Sequence, residues 1–275
     1  MMSHQIDEKE YDFICKLVYE HSRINLGEGK KELVTARLGK RLRILGLDSY
    51  SEYCQLLKGA EGEDELVHLI DSISTNHTFF FREPKHFEFM QTTVFPTMAS
   101  KNENGTFRVW SAASSSGEEP YTLAIVLSEY FAHLSSWKWH LDATDISTKI
   151  LAKAREGVYS EDRIREVQPD MMKRYFQKGV GKWDGYFRVK EDLRSKVKFH
   201  HMNLLQPSYP FNEKFHLIFC RNVMIYFDRP TQEQLVKKLT DCLVPGGYLM
   251  VGHSESLTGI HHTLKTIKPA IYKKP

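Results

Sequence analysis

Cysteine is scarce in this sequence: four cysteines are scattered over 275 residues, and no two of them form a Cys-x-x-Cys pair. Isolated thiols with apolar neighbours favour buried free cysteines over a disulfide framework or a zinc site. A His-Glu-x-x-His motif is also missing, although the chain has 13 histidines. We therefore expect no metal site.

Long apolar runs are absent as well, since no stretch approaches the ~18 residues that a membrane-spanning helix needs. The first residues lack the basic and apolar regions of a secretory signal peptide. We therefore expect a cytoplasmic protein that does not insert into a membrane. Low-complexity linkers and internal repeats are missing too, and 41% hydrophobic residues suffice for a buried core. A length of 275 residues therefore predicts one or two globular domains.

The net charge of +3 is small but unevenly distributed. Seven basic and only two acidic residues lie between Arg23 and Arg43, so this segment carries +5 and the rest of the chain −2. Such a segment suggests an anionic partner, whereas a solvated helix face is the plainer alternative.

Residues 7–73 show only helical periodicity. Val34, Leu38, Leu42 and Leu45 recur on one face of a predicted helix, and basic side chains occupy the surface beside that face. These basic residues are Lys30, Arg37, Lys40, Arg41 and Arg43. We predict an all-helical N-terminal domain over residues 1–73.

Residues 74–275 are predicted to form a second domain, in which short apolar strands alternate with helices from about Thr106 onward. This order is typical of a Rossmann-like α/β fold with a parallel sheet. The clearest strands are Thr106–Ser111, Trp139–Thr144, Phe215–Cys220 and Tyr248–Gly252, and the clearest helices are Pro120–Ala132, Ser147–Arg155 and Thr231–Leu243.

An insert over about residues 163–201 interrupts the alternation. Arg174–Lys178, Tyr186–Lys190 and Val197–His201 look like three short strands, the first two joined by a glycine-rich loop. We predict a small antiparallel sheet there.

The turn after the first strand is built from small residues, Ala112 to Gly117, which let a ligand approach the backbone. It has a single glycine, and Glu118 and Glu119 follow it, so a pyrophosphate is disfavoured. A cationic or zwitterionic ligand such as S-adenosylmethionine suits these residues better. The alternative is that both glutamates only complement the N-terminus of the next helix.

Polar residues also follow the other strands. Asp145, about 30 positions after the turn, can accept both ribose hydroxyls of a nucleoside, or it can cap the next helix. Asn203 and Leu204 follow a strand at a place suited to an adenine. An apolar run contains Arg221, Asn222 and Tyr226. Burying polar groups costs free energy unless they form hydrogen bonds, so these three residues suggest a site. A tyrosine packed in the core is the alternative for Tyr226.

Three segments make a resemblance specific. Thr75 to Glu83 (Thr-Asn-His-Thr-Phe-Phe-Phe-Arg-Glu), Trp110 to Tyr121 and Cys220 to Phe227 resemble, in order and spacing, the chemotaxis receptor methyltransferases of the CheR family. Gly252-His253-Ser254-Glu255 is similar to the family too, and the resemblance covers essentially the whole chain. Ala113 and Ser114 differ, since many relatives have Gly and Cys at these positions.

The resemblance implies an S-adenosylmethionine-dependent protein-glutamate O-methyltransferase that acts on the cytoplasmic helices of chemoreceptors and releases S-adenosylhomocysteine. It implies that Arg82 and Tyr226 flank the transferred methyl group. The cofactor contacts expected from the resemblance and from the turn are Asn76, Thr78, Arg82, Ala112, Glu118, Glu119, Asp145, Asn203, Leu204, Arg221 and Asn222. The basic helix would then dock a glutamate-rich receptor helix, and the enzyme would be a monomer recruited to receptor arrays.

The insert carries a further expectation. Gly179-Val180-Gly181 is similar to the loop of those family members that bind a short aromatic and acidic peptide at the receptor's carboxyl end. Gly179, Gly181, Lys182 and Arg188 would contact this peptide, whereas a flexible hairpin loop is the alternative.

Three other functions are considered on the residues alone. A catalytically silent receptor-binding scaffold is disfavoured by intact Arg82, Asp145 and Tyr226. A methyltransferase for another carboxylate would not need the basic helix. A nucleic-acid-binding protein would use it, but the exposed aromatic residues of single-strand binders are not evident there, so we expect no nucleic-acid partner.

Overall fold

The computed structural model describes residues 5–74, 77–100, 105–134 and 136–275. The chain forms two compact units. One consists of Met1–Thr75 together with Tyr226–Thr231, and the other of Asn76–Ile225 together with Gln232–Pro275. Within the described ranges, every helix is too short or too polar to cross a membrane.

The first unit is helical, as its periodicity predicts. Asp7 and Glu10 form a capping box at the start of the first helix, Ser49 caps the third, and Gly46 ends the second with a φ of +67°. The helices are α1 (Glu8–Ser22), α2 (Lys31–Leu45), α3 (Tyr50–Lys58) and α4 (Gly62–Ile73).

The core of this unit follows the predicted apolar faces. Ile14 and Val18 of α1 are fully buried, and so are Val34, Leu38 and Leu42 of α2. Burial of such side chains stabilises the fold by roughly 1.5–3 kcal/mol each, so the packed faces outweigh intrinsic helix propensity.

The second unit alternates strands with helices. Its first helix begins after Pro84 and continues through a π-helical turn, Met90–Val94, into the next. In chain order the elements are α5 (Lys85–Phe89), α6 (Phe95–Ala99), β1 (Gly105–Ala112), α7 (Glu118–Phe131), β2 (Trp137–Asp145), α8 (Thr148–Glu156), β3 (Val158–Ser160), α9 (Glu161–Ile164), α10 (Pro169–Tyr175), β4 (Phe176–Lys178), β5 (Tyr186–Val189), α11 (Glu191–Arg194), β6 (Val197–His201), β7 (Phe215–Cys220), α12 (Arg229–Asp241), β8 (Leu243–Val251), β9 (Lys265–Lys268) and β10 (Ile271–Lys273).

Seven strands form the main sheet in the order β6-β2-β1-β7-β8-β10-β9. The first five are parallel, and β10 and β9 add as an antiparallel pair. Ala112 at the end of β1 lies opposite Thr144 of β2 and Cys220 of β7. The chain runs outward from β1 to β6 and then returns to β7, so the topological switch point lies between β1 and β7. The predicted Rossmann-like α/β fold is confirmed.

The core of the second unit lies against this sheet. Phe107, Val109, Tyr121, Leu141 and Phe219 are fully buried, and the three aromatic side chains among them bury the largest areas. The strand ends that carry the polar residues thus lie above a packed core.

The predicted insert needs a correction. A separate antiparallel sheet exists in the order β3-β5-β4, but Val197–His201 is not one of its strands. That segment pairs in parallel with β2 of the main sheet, with Val197 opposite Leu141. The third strand of the small sheet is Val158–Ser160, which has only three residues and gives no recognisable alternation. The first predicted strand also starts later, at Phe176, because α10 runs to Tyr175.

Candidate functional site

Polar residues from four strands lie at one edge of the main sheet. Because β1, β2, β6 and β7 are parallel, the residues that follow them meet at the same edge. These residues are the turn 113–117, Asp145, Asn203 and Arg221, each of which the sequence indicated. Ligands of open α/β sheets bind at such an edge, beside the switch point.

The turn after β1 is held in an unusual backbone conformation. Ala113, Ser115 and Gly117 have positive φ angles of 68°, 49° and 99°. A Cβ atom at Gly117 would lie 2.7 Å from the hydroxyl oxygen of Tyr159, so only glycine fits there. The Ser114 amide donates to the Thr144 carbonyl at 2.8 Å and fastens the turn to β2.

Asp145 connects two of the strand ends. Its carboxylate accepts hydrogen bonds from the Ser115 amide at 2.8 Å and from the Ser147 amide at 2.9 Å. The cap of α8 is Ser147, whose hydroxyl accepts from the Ile150 amide at 3.1 Å. Asp145 is therefore not needed as the cap. The carboxylate of Asp145 thus lies between the turn after β1 and the start of α8.

The end of β6 adjoins Asp145. The Met202 amide donates to the Asp145 carbonyl at 2.9 Å, and the Asn203 side chain accepts from the Leu205 amide at 2.9 Å. Leu204 is buried, and so is Ala112 at the end of β1. This part of the edge thus combines an amide with apolar surface.

The two glutamates at the start of α7 play different parts. Glu119 accepts from the Ser111 hydroxyl at 2.7 Å and lies 3.3 Å from a guanidinium nitrogen of Arg221. Glu118 is buried and accepts from Ser116 at 2.6 Å and from Arg163 at 3.1 Å. Burial raises the pKa of both carboxyls. Of the pair, Glu119 belongs to the cluster around Arg221.

Arg221 is the centre of that cluster, and its side chain is only 1% exposed. Its guanidinium lies 3.1 Å from a Glu83 oxygen and 3.3 Å from Glu119, and it donates to the Arg82 carbonyl at 2.6 Å. Burial alone would raise the pKa of Glu83, but Arg221 and the His253 amide outweigh it and leave that pKa lowered. Arg221 thereby binds the segment around Arg82 to two strand ends.

The segment before α5 is strained. Phe81 and Glu83 have φ angles of +56° and +58°, a region that residues with side chains seldom adopt and that clusters at functional sites. The Arg82 guanidinium donates to the His77 carbonyl at 2.9 Å and lies over the Phe79 ring. Thr78 is buried, and its carbonyl accepts from Arg163 at 3.0 Å. The predicted contact Asn76 lies outside the described residues.

Glu255 has a structural role here that the sequence did not reveal. Its carboxylate accepts from the amides of Asn222 at 2.6 Å, Gly252 at 2.7 Å and Met224 at 2.7 Å. Asn222 has a φ of +58°. A buried carboxylate thus holds the turn that carries Arg221 and Asn222. The only signal was an acidic residue, in Gly-His-Ser-Glu, directly after an apolar strand.

Glu83 also brings two histidines together. Among the described residues, ligand atoms of Glu83, His86 and His253 all lie within 4.8 Å of one another. The Arg221 guanidinium already balances the Glu83 charge, however, and a second cation beside it would be repelled. His86 is buried, and burial followed by the Arg221 charge lowers its pKa to about 3.

The predicted basic surface of α2 divides into two groups. Arg41 forms two hydrogen bonds with the buried Glu65, at 2.9 and 2.5 Å, and Arg37 donates to the Ile73 carbonyl. Lys40 and Arg43 are exposed. The exposed positive charge of α2 is therefore smaller than its composition suggests.

Lys30 and Tyr226 lie in the same helical unit. The Lys30 ammonium is 5.5 Å from the centroid of the Tyr226 ring, and the Asn25 amide donates to the Tyr226 carbonyl at 2.9 Å. Tyr226 is half-buried. The Lys30 side chain thus contacts the Tyr226 ring and does not extend the exposed basic surface of α2.

The loop of the small sheet is shaped by its glycines. A Cβ atom at Gly179 would lie 2.1 Å from the Trp183 carbonyl oxygen, and Gly181 has a φ of +61°. Trp183 is 51% exposed, and Lys182 lies over its ring at 5.9 Å. Arg188 is exposed and donates weakly to the Glu156 carbonyl at 3.4 Å.

The strand-end residues fit S-adenosylmethionine, which carries a sulfonium, an ammonium, a carboxylate and two ribose hydroxyls. Asp145 offers carboxylate oxygens beside a turn of small residues, and Glu119 and Arg221 offer opposite charges next to the switch point. The Ser114 hydroxyl in the same turn is buried and has no hydrogen-bond partner within the described part of the chain. A buried polar group without a partner needs an explanation, and a hydrogen bond to a bound ligand is one.

Comparison with known proteins identifies the family of this chain. The model of the CheR methyltransferase all-alpha domain matches residues 9–74, and that of the S-adenosylmethionine-binding domain matches residues 76–272. The chain is 44% identical to a chemotaxis protein methyltransferase of Borreliella burgdorferi, and the match covers 98% of this chain and 95% of the relative. It is 38% identical to the enzyme of Salmonella typhimurium, over 93% and 86% of the two chains. The chain therefore belongs to the CheR family of S-adenosylmethionine-dependent chemotaxis protein methyltransferases.

Proposed function

We propose that this chain methylates glutamate side chains in the cytoplasmic helices of chemoreceptors. The observation that carries the proposal is the cluster of Asp145, Glu119 and Arg221 at the switch point of the sheet, in a chain that belongs to the CheR family. In this proposal the protein acts in the cytoplasm, as a monomer, and reaches membrane receptor arrays by binding the receptors.

The chemistry requires little from the protein beyond binding and orientation. Bound S-adenosylmethionine supplies an electrophilic methyl group, which a glutamate carboxylate takes up as a methyl ester. A glutamate carboxyl, with an unperturbed pKa of about 4.3, is already ionised at neutral pH, so the protein needs no general base. Its task is to align the carboxylate with the methyl group and to exclude water.

The residues expected to contact the cofactor and the substrate divide this task. Asp145 accepts the ribose hydroxyls, with Asn203 and Leu204 beside the adenine. Glu119 faces the ammonium group, and Arg221 keeps Glu119 in place. Arg82 holds a carboxylate of the cofactor or of the substrate. The Tyr226 hydroxyl orients the attacking carboxylate.

Lys40 and Arg43 are the side chains of α2 best suited to meet an acidic receptor helix, because both are exposed. Exposed charges of this kind steer and orient a partner more than they add affinity. Lys30, Arg37 and Arg41 support this surface from within, through their contacts in the helical unit.

The small sheet is the proposed docking place for a receptor tail peptide. Val180, Trp183 and Tyr186 are 81%, 51% and 42% exposed around the glycine-rich loop. The strand β4 is at an edge of this sheet, so an extended peptide can pair with it, and its acidic groups can meet Lys182 and Arg188. Such a tether raises the local substrate concentration and takes no part in the chemistry.

One experiment tests the reaction itself. The protein is incubated with methyl-labelled S-adenosylmethionine and receptor-containing membranes, and we expect label in the receptor band that mild base releases. Base-stable label, or label only in small carboxylates, would contradict the proposal. Membranes whose receptor glutamates are replaced by alanine serve as the control.

A second experiment tests the tether. Trp183→Ala should weaken binding of an aromatic and acidic tail peptide at least about tenfold and leave the S-adenosylhomocysteine dissociation constant unchanged. Ile267→Ala, at an exposed apolar position on β9, is the matched control. If the intact protein binds no such peptide and methylates receptors with and without the tail equally fast, the tether proposal is wrong.

A further inference from the structure

The segment that carries Tyr226 is fastened to the helical unit at its first residue. The Asn25 amide donates to the Tyr226 carbonyl at 2.9 Å. The Lys30 ammonium donates to the Asn25 carbonyl at 3.1 Å and lies 5.5 Å from the centre of the Tyr226 ring. Backbone and ring of Tyr226 are therefore held by neighbouring residues of one loop.

The same segment is fastened again two residues later. The Tyr19 hydroxyl donates to one oxygen of Asp228 at 2.5 Å, and the Thr231 amide donates to the other at 2.9 Å. Arg23 lies over the Tyr19 ring at 5.1 Å. Asp228 thus joins Tyr19 of α1 to Thr231 within the helical unit, and Tyr226 lies two residues before Asp228.

These contacts do more than cap a helix. The Thr231 amide alone satisfies the capping role of Asp228, so the bond from Tyr19 is not needed to begin α12. Two attachments, at Tyr226 and at Asp228, restrict the movement of a short segment. This segment carries the Tyr226 hydroxyl, which is proposed to orient the substrate carboxylate. Catalytic groups must be held near the productive geometry, and a misplacement of about 1 Å can cost about 100-fold in rate.

We propose that Tyr19 is a positioning residue: through Asp228 it fixes the segment 226–228 and so the direction of the Tyr226 hydroxyl during methyl transfer. This inference rests on the proposed role of Tyr226. Tyr19 lies on α1 of the helical unit, outside the basic surface of α2, and its loss is expected to lower the rate of methyl transfer.

Tyr19→Phe tests the proposal, because it removes one hydroxyl and keeps the ring beneath Arg23. We expect kcat for receptor methylation to fall about tenfold, with the KM for receptor and the dissociation constant for S-adenosylhomocysteine unchanged. Tyr50→Phe is the matched control: its hydroxyl donates to the Thr35 carbonyl at 2.9 Å in the same unit and does not contact the segment. It should lose similar stability and keep kcat.

A double-mutant cycle separates positioning from general damage. If Tyr19 acts through the Tyr226 hydroxyl, then Tyr19→Phe should lower kcat little further in a Tyr226→Phe enzyme. Wild-type kcat in Tyr19→Phe, or full multiplication of the two losses, overturns the positioning role while the role of Tyr226 stands. Wild-type kcat in Tyr226→Phe alone instead overturns the role of Tyr226, and this inference with it.

Discussion

The two units of this molecule use their buried charges in different ways. In the helical unit, Glu65 is 4% exposed, and its carboxylate accepts hydrogen bonds from Arg41 and from the Tyr53 hydroxyl at 2.5–2.9 Å. In the sheet unit, Asp145 and Glu119 hold backbone and side-chain donors but lie at strand ends beside a turn of small residues. The first group completes a fold, whereas the second is arranged around a place for a ligand.

Backbone strain follows the same division. Phe81, Glu83, Ala113, Ser115 and Asn222 have positive φ angles and lie beside the strand-end cluster, whereas Ala270, in the turn between β9 and β10, is an exception in the same unit. In the described part of the helical unit, the non-glycine residue with a positive φ is Arg23, which ends α1 in an ordinary helix cap. Strain of this kind costs of order 1–3 kcal/mol per residue and persists where surrounding structure enforces it. The difference predicts that loss of the buried carboxylate Glu65 damages stability, whereas loss of the strand-end carboxylate Asp145 damages ligand binding.

The largest effect is expected at Glu65. Glu65→Ala leaves Arg41 and the Tyr53 hydroxyl without their partner inside the helical unit, which should lower the free energy of unfolding by about 3 kcal/mol. Denaturant unfolding measures this loss. Glu63→Ala, at an exposed position of the same helix, should change it by less than about 0.5 kcal/mol. Equal losses in the two variants would contradict the structural role of the buried pair.

Asp145 is expected to have the next largest effect, on binding. Asp145→Ala should weaken S-adenosylhomocysteine binding by roughly 1.5–3 kcal/mol, because charge-assisted hydrogen bonds are lost while the sheet is kept. Isothermal calorimetry measures the change. Ser147→Ala removes the cap of α8 and should cost about 1 kcal/mol of stability with the affinity unchanged. If both variants bind alike, Asp145 serves only the turns.

Periodicity and turn chemistry predict most of this architecture. The strand Phe215–Cys220 has the predicted bounds, because its residues are apolar and polar ones follow directly. The strand Val197–His201 was assigned to the wrong sheet, because alternation along one segment does not identify its neighbour. Helical periodicity likewise placed Arg41 on a surface stripe and could not show that Glu65 of α4 covers it.

Part of the candidate site follows from the pattern of strands and helices. The strand-end positions Asp145 and Arg221 follow from the alternation of strands and helices. Glu83 and Glu255 lie in segments that resemble the family, but their structural roles could not be predicted, because their partners Arg221 and Asn222 lie far along the chain, 138 residues away in the first case. Buried carboxylates acquire their role from long-range contacts, and these are invisible to local patterns.

A smaller effect is expected from pH, through His86. Its pKa in the folded chain is about 3, against about 6.5 when unfolded, so between these values the unfolded chain binds a proton that the folded chain excludes. Above pH 6.5 the stability is complete, and each unit of pH below it should cost up to about 1.4 kcal/mol from this residue. Thermal unfolding of His86→Gln should show a flatter pH dependence between 6.5 and 5 than the parent chain. An unchanged slope would mean that other groups cause the acid sensitivity.

The smallest effect is expected on the exposed surface of α2. Reversing Lys40 and Arg43 to Glu should raise the KM for receptor about fivefold at low salt and leave S-adenosylhomocysteine binding unchanged, because exposed charges act mainly on encounter and orientation. The difference should shrink as salt is added, since the Debye length falls to about 8 Å at 0.15 M. Lys9→Glu with Lys16→Glu on α1 is the charge-matched control, since both lysines are exposed in the same unit. If this control raises the KM as much, net charge rather than the α2 surface guides the receptor. Arg41 is unsuitable for such a reversal, because a glutamate at this position would repel the buried Glu65. The variant would then lose stability, and its KM would not measure docking.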